Sequence, residues 1–243
     1  MKAIVTGHTK GLGMALAADL LARDIPVLGL ARTFSNEMAA RVPGLLQQIA
    51  LDLADTHALS GWLNGGDLRR YLAGETSVLL INNAGTVQPV GGLADQDLAA
   101  VGNAVALNVA APMMLSAAVV AASPGAEKRI LHVSSGAGRS AYPGWSVYCA
   151  SKAALDQHAR AVALDALPGV RICSLAPGVI DTAMQEEIRA TPAERFPMRE
   201  RFVELQRAGE LSPPEMTARA VIEYMLGTRF GIEPVDDLRT ATP

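Results

Sequence analysis

The chain has 243 residues, half of them hydrophobic, a net charge of −3 and a pI near 5.8. That is enough apolar material for one α/β domain, and the absence of any Lys/Arg run argues against a nucleic-acid surface. Two cysteines and four histidines without ligand spacing argue against a disulfide framework or a metal site and suit a reducing, cytoplasmic setting.

Glycine and proline are scattered evenly, so no linker divides residues 1–243. Met1-Lys2 leads straight into apolar residues, which leaves no room for a signal peptide ahead of the first strand. The best membrane-span candidate, Val109 to Ala122, is interrupted by Pro112 and Ser116 and closed by Pro124, so no membrane partner is expected.

Lys2 to Thr6 reads as a buried strand, followed by Gly7-His8-Thr9-Lys10-Gly11-Leu12-Gly13 and an Ala/Leu-rich helix to about Arg23. Strand, glycine turn and helix make a phosphate cradle. Gly7 permits the turn, Gly11 admits a pyrophosphate, and Gly13 lets helix and strand pack closely.

Pro26 to Ala31 is a second strand, and the residue at its end selects the cofactor. A carboxylate there would accept hydrogen bonds from an adenosine ribose and repel a 2′-phosphate. This chain has Ala31 and Arg32 instead, with Lys10 in the glycine turn. Two cations and no carboxylate predict NADP(H) over NAD(H).

Gln47 to Leu51 is a third strand, ending at Asp52-Leu53, where a carboxylate can reach an adenine amino group. One helix is predicted from about Asp55 to Ala73. Ser77 to Ile81 is a fourth strand, apolar enough for burial on both faces, and ends in Asn82-Asn83-Ala84-Gly85. A long helix from about Asp95 to Ala122 follows. Within it Pro112 has no N–H, so the carbonyl of Asn108 loses its helical partner and is free to hold a water in a proton relay.

Arg129 to Ser134 is a fifth strand, ending at Ser134-Ser135-Gly136. Tyr142, Trp145 and Tyr148 then fall within seven residues, which makes Tyr142 and Trp145 candidate walls of an apolar pocket. Tyr148 and Lys152 are four apart, on one helix face, where an ammonium lowers the pKa of a phenol and makes it a better acid. Tyr148 is the candidate general acid and Lys152 its tuner.

Val170 to Leu175 is a sixth strand, leading to Ala176-Pro177-Gly178-Val179-Ile180-Asp181-Thr182. Residues 183–214 are charged and broken by prolines, with one helix near Arg199 to Arg207, and can close over a substrate as a lid. A last helix spans Met216 to Leu226, a short strand lies near Gly231 to Val235, and the rest reads as a loose tail.

Thr6-Gly7-x-x-x-Gly11-x-Gly13, Asn82-Asn83-Ala84-Gly85, Ser135, Tyr148-x-x-x-Lys152 and Pro177-Gly178, in that order and spacing, resemble the short-chain dehydrogenase/reductases over nearly the full chain. The resemblance implies a single Rossmann-like domain with a doubly wound parallel sheet of about seven strands. By that resemblance Ser135 positions a carbonyl, Tyr148 protonates it, Lys152 also binds the nicotinamide ribose, and Asn108 holds a relay water. Ser134 fits less well, since its spacing to Tyr148 is one residue too long. The implied cofactor set is Thr6, Gly7, Thr9, Lys10, Gly11, Leu12, Gly13, Ala31, Arg32, Asp52, Leu53, Asn83, Ala84, Gly85, Tyr148, Lys152, Pro177, Gly178, Val179, Ile180 and Thr182.

Gly144-Trp145-x-x-Tyr148-Cys149, Asp181-Thr182-x-Met184-Gln185 and Gly209-Glu210-Leu211 are similar to the sepiapterin reductase and benzil reductase branch. That likeness adds Met184, Gln185 and Asp236 to Tyr142 and Trp145 as substrate residues, Asp236 standing where a pterin-anchoring aspartate would fall. It implies an NADPH-dependent carbonyl reductase acting on a vicinal dicarbonyl, as a homodimer or homotetramer. An NAD(P)-dependent alcohol dehydrogenase or 3-oxoacyl reductase is the rival enzyme, and an NADP(H)-sensing binding protein the rival outside catalysis.

Overall fold

The computed structural model describes residues 1–241. Seven parallel strands form one sheet in the order β3-β2-β1-β4-β5-β6-β7. They are β1 (Lys2–Thr6), β2 (Val27–Ala31), β3 (Leu46–Ala50), β4 (Ser77–Asn82), β5 (Glu127–Val133), β6 (Val170–Ala176) and β7 (Val235–Asp237). The helices are α1 (Gly11–Ala22), α2 (Asn36–Arg41), α3 (Thr56–Asn64), α4 (Asp67–Leu72), α5 (Leu98–Val105), α6 (Ala111–Ala122), α7 (Ser146–Leu164), α8 (Ala183–Ala190), α9 (Arg199–Arg207) and α10 (Pro214–Leu226).

Side-chain alternation along the strands sorts the core into two aliphatic layers. Ala3, Val5, Leu79, Ile81 and Leu131 face α1 and α10, while Ile4, Val78, Leu80 and Ile130 face α3, α4 and α6. Strand order reverses at β1, between β2 and β4, and the crevice at the carboxyl ends of strands flanking such a reversal is where α/β folds bind nucleotides.

The third strand lies one residue earlier than predicted and the seventh a few residues later. The single helix expected over residues 55–73 is two helices, because Gly66 adopts a left-handed conformation, φ +89°, between α3 and α4. The expected helix from 95 to 122 starts at Leu98, capped by the Asp97 carboxylate on the Ala100 N–H at 2.7 Å.

Pro112 disturbs that helix by widening it. Residues Ala106–Ala110 form a π turn in which the Ala111 N–H reaches back five residues to the Ala106 carbonyl. Taken together, Leu98–Ala122 is long and apolar enough to cross a bilayer by length and composition. Here its inner side lies on the sheet, with Ala111, Leu115 and Val119 in the core.

A third, aromatic cluster sits beyond the sheet, under the excursion that follows β6. It comprises Val87, Val90, Trp145, Tyr148, Ile188, Phe196 and Phe202, among others. The two ends of the excursion meet: Ile180 pairs with Ser212, whose N–H donates to the Val179 carbonyl at 2.9 Å and whose carbonyl accepts from the Asp181 N–H at 3.0 Å.

Candidate active site

The glycine turn is held by backbone contacts that leave no space for side chains. Gly7 has φ +69°, and a Cβ on Gly13 would run into the Gly7 carbonyl oxygen and Asn83 Nδ2. Thr6 Oγ1 accepts the N–H groups of Asn83 and Ala84, both at 2.9 Å, and Asn83 Nδ2 donates to the Thr6 carbonyl at 2.9 Å. The ends of β1 and β4 are thereby stapled together on both sides of the crevice. A Cβ on Gly11 would lie 3.4 Å from the Thr182 methyl, so the glycine turn and the Pro177–Thr182 loop face each other across it. This is a cradle open to a pyrophosphate, and the residues present fit a dinucleotide.

Arg32 at the end of β2 and Lys10 in the turn are both exposed. Asp52 is exposed after β3, with one carboxylate oxygen accepting the Ala54 N–H at 2.9 Å, and Leu53 is buried beside it. His8 and Gln48 were not anticipated. The His8 ring is fully buried against Gly29, where any Cβ would lie 2.5 Å from it, and its Nε2 pairs with Gln48 Oε1 at 2.8 Å. Gln48 Oε1 also accepts the Ser35 N–H at 2.7 Å, so the loop bearing Arg32 is tied to the glycine turn. The signal was Gly29, a residue without a side chain in the middle of an otherwise apolar strand.

At the other end of the crevice, four polar residues arrive from three elements. Asn108, in the π turn, is buried; its Nδ2 donates to the Thr86 carbonyl at 2.8 Å and to Ser151 Oγ at 3.2 Å, and its Oδ1 accepts the Thr86 N–H at 2.9 Å. A Cβ on Gly85 would lie 3.2 Å from Asn108 Oδ1 and 3.8 Å from Lys152 Nζ, so all three residues meet there. Ser135 caps the short 3₁₀ turn Gly136–Gly138, its Oγ accepting the Ala137 N–H at 3.2 Å. Ser134 is committed elsewhere, donating to Asp156 at 2.7 Å.

Lys152 and Tyr148 share one buried face of α7. Lys152 Nζ donates to the Val133 carbonyl at 2.8 Å and stands 5.6 Å from the centre of the Tyr148 ring. The expected lowering of the phenol pKa by the lysine is corrected by this geometry. Burial pushes Tyr148 up to about 12, against an opposing hydrogen bond from Ser135, because desolvating a phenolate costs more than that bond returns. Burial likewise brings Lys152 down to about 8, opposed by Asp156. The site therefore holds a protonated phenol beside a serine hydroxyl, an arrangement able to donate two hydrogen bonds to one oxygen atom.

Of the substrate candidates, Tyr142 is half-buried, with Arg201 Nη1 reaching its hydroxyl at 3.5 Å. Met184 is half-buried against the aromatic cluster, and Gln185 is buried with its side-chain oxygen unpartnered. Trp145 differs from expectation. It is 4% exposed and stacked on Phe196, ring centres 4.4 Å apart, and it meets Tyr148 edge-on at 5.3 Å, so it backs the pocket rather than lining it. Phe196 and Phe202, two aromatics in an otherwise charged stretch, were the missed signal.

Asp236 already has partners within the chain. Its carboxylate accepts the Tyr224 hydroxyl and the Asp237 N–H, each at 2.8 Å, because the packing of α10 brings Tyr224 to it. The side chain lying near Gly178 is instead Arg239, with Cγ and Cδ 3.8 Å from where a Gly178 Cβ would be and its guanidinium forked onto Asp237.

The family described as short chain dehydrogenase matches residues 1–193. A benzil reductase ((S)-benzoin forming) of Bacillus cereus is 33% identical over 228 residues, 90% of this chain and 91% of that protein. A sepiapterin reductase of Rattus norvegicus is 36% identical over 244 residues, 93% of this chain and 92% of that protein. A crystal structure of a short-chain dehydrogenase/reductase from Burkholderia vietnamiensis is 51% identical, with a TM-score of 0.73 over 99% of this chain and 98% of that one.

Proposed function

The chain belongs to the short-chain dehydrogenase family, and we propose that it is an NADPH-dependent carbonyl reductase whose favoured substrate is a vicinal dicarbonyl of the benzil type. The observation that carries this reading is the meeting of buried Tyr148, Lys152 and Asn108 with half-buried Ser135 at the carboxyl edge of the sheet. NADPH, held by the glycine turn, Asn83, Lys10 and Arg32, would supply the hydride.

The protein's share is orientation and proton supply. The Ser135 hydroxyl fixes the carbonyl oxygen, and the Tyr148 phenol, protonated at neutral pH because burial disfavours its phenolate, gives its proton to that oxygen as negative charge grows there. Lys152, whose Nζ is held by the Val133 carbonyl beside the Tyr148 ring, would bind the nicotinamide ribose. The apolar surroundings of Tyr142, Val90 and Met184 exclude water and suit aryl groups. The segment 183–214 serves as the lid, held to the loop after β4 by Gln88 Nε2 donating to Glu187 at 2.7 Å.

Two further expectations belong to this reading. The protein works in the cytoplasm, and it pairs with a second copy through the outer sides of α5 and α7, where Leu98, Val105 and Leu164 are exposed.

The test is the initial rate of NADPH and NADH oxidation with benzil, 1-phenyl-1,2-propanedione and sepiapterin, alongside Tyr148→Phe. Turnover preferring NADPH and a diketone, reduced on the order of 10²–10⁴-fold in the mutant, is expected. Tight NADPH binding with no turnover on any of these would overturn the substrate assignment, and an unimpaired mutant would remove Tyr148 from its role.

A further inference from the structure

One buried charge in this region has no place in the reaction as described. Asp156 is 1% exposed, and its carboxylate accepts three hydrogen bonds: from Ser134 Oγ at 2.7 Å, Ser174 Oγ at 2.7 Å and Arg139 Nε at 3.1 Å. A buried carboxylate is expensive, and an apolar residue of similar size often serves stability as well. Three features of its surroundings bear on why a charge sits here.

Ser134 and Arg139 bracket the turn that carries Ser135. Ser134 precedes it, with its N–H on the Leu175 carbonyl at 2.8 Å, and Arg139 closes the 3₁₀ turn at the far end. Asp156 therefore grips both ends of that turn from α7, while Ser174 ties the same carboxylate to β6. Arg139 extends the clamp, its Nη2 reaching the Asp236 carbonyl at 2.9 Å.

The turn also lies hard against the helix. A Cβ on Gly138 would sit 3.0 Å from both Asp156 Oδ2 and the Lys152 carbonyl carbon, so any larger residue would crowd this approach. Movement of the turn relative to α7 is movement of Ser135 relative to Tyr148.

Finally, Tyr148, Lys152 and Asp156 are spaced four apart and all buried on one face of α7, so the three side chains leave the helix as successive neighbours. The titratable groups facing Lys152 are Tyr148 and Asp156 on its own helix and His132 on β5, with Arg139 beyond Asp156. Among these Asp156 is the group that opposes the effect of burial on the ammonium.

We infer that Asp156 is a positioning residue of the reaction centre, clamping the Ser135 turn to α7 and acting as the counter-charge of the Lys152 ammonium. Its catalytic meaning rests on the carbonyl reductase reading; its two physical roles do not. The Asp156–Arg139 pair then sets how much negative charge Lys152 experiences, and removing either member should move the lysine in opposite directions.

The experiment follows the Lys152 side chain by NMR in protein labelled at lysine, which needs no turnover. The chain has four lysines, Lys2, Lys10, Lys128 and Lys152, so Lys152→Met assigns the signal. Asp156→Asn keeps the shape and an acceptor for the two serines while removing the charge, and should lower the Lys152 midpoint by about one pH unit. Arg139→Gln, at a partly exposed position, frees Asp156 from its cation and should raise it. In any variant that turns over, the high-pH limb of the rate profile should shift with the midpoint, and kcat should fall more than KM rises. An unchanged midpoint in both variants, or a shift of both in the same direction, would overturn the counter-charge role even if the rates fall. Should Asp156→Asn fail to fold, Arg139→Gln alone still decides the sign. Failure of every carbonyl substrate would leave the NMR result standing.

Discussion

The two ends of the crevice are built by different means. At the glycine turn, position is fixed by backbone: Gly7 at φ +69°, the space denied to a Cβ at Gly13, and the Thr6–Asn83 staple. Around Tyr148, position is fixed by side chains from distant segments, with Trp145 stacked on Phe196 and Asn108 hydrogen-bonded to the Thr86 backbone. The first kind of site depends on the absence of atoms, the second on the presence of the right ones. Mutations at the two ends should therefore fail differently.

The largest effect should come from the side-chain end. Phe196→Ala removes a fully buried ring that packs against both Trp145 and Phe202 and should cost about 3–5 kcal/mol, read as a drop in unfolding midpoint in urea. If NADPH binding survives in the folded fraction, the two ends are separable; joint loss would break the contrast.

At the backbone end, Gly13→Ala adds one methyl group against the Gly7 carbonyl. The expected cost is about 1–3 kcal/mol, with NADPH binding by calorimetry lost in the same variant.

Acid sharpens the comparison, because His8 is the point where the glycine turn leans on a side chain. Burial lowers the pKa of His8 and, more strongly, of His132, which it brings to about 3. A lowered folded-state value means the unfolded chain takes up the proton first. Stability is thus intact above about pH 6.5 and declines as pH falls below it; for His132 the decline continues toward pH 3, at up to about 1.4 kcal/mol per pH unit, and His8 adds a contribution of the same sign. Chemical denaturation across that range should show a shallower decline in His8→Gln and in His132→Gln.

The smallest effect on the fold belongs to the exposed cations. Lys10→Ala with Arg32→Ala should leave stability within about 0.5 kcal/mol. The pair should weaken NADPH by roughly 10–100-fold, the value of one or two charge-assisted hydrogen bonds, with NADH little changed. Equal losses for the two cofactors would sink the NADP(H) assignment.

The same contrast explains what could be read from residues alone. The turn from Thr6 to Gly13, the Asn82–Gly85 segment and the Tyr148–Lys152 spacing are local, and each stands where its spacing predicts. Pro112 announced a disturbance at Asn108, but that it would be absorbed as a π turn depends on how α5 and α6 seat on the sheet. The stacking of Trp145 on Phe196 joins residues far apart in sequence, so it has no local signature. The Tyr224–Asp236 hydrogen bond likewise exists only once α10 has docked. The balance at Tyr148 went the other way for a related reason: helical spacing gives the nearness of Lys152 but says nothing of how deeply both groups are buried.

The pairing of Ile180 with Ser212 makes the intervening stretch behave as an interchangeable part. A segment that leaves the scaffold and rejoins it at one point can be lengthened cheaply, since each doubling of a loop adds only about 0.6 kcal/mol of closure entropy. Replacement of the stretch after Thr182, which itself packs against the glycine turn, and before Ser212 would leave the strand order untouched. An engineer could exchange that one cassette, from residue 183 to residue 211, and keep both the sheet and the Thr182 contact with the glycine turn.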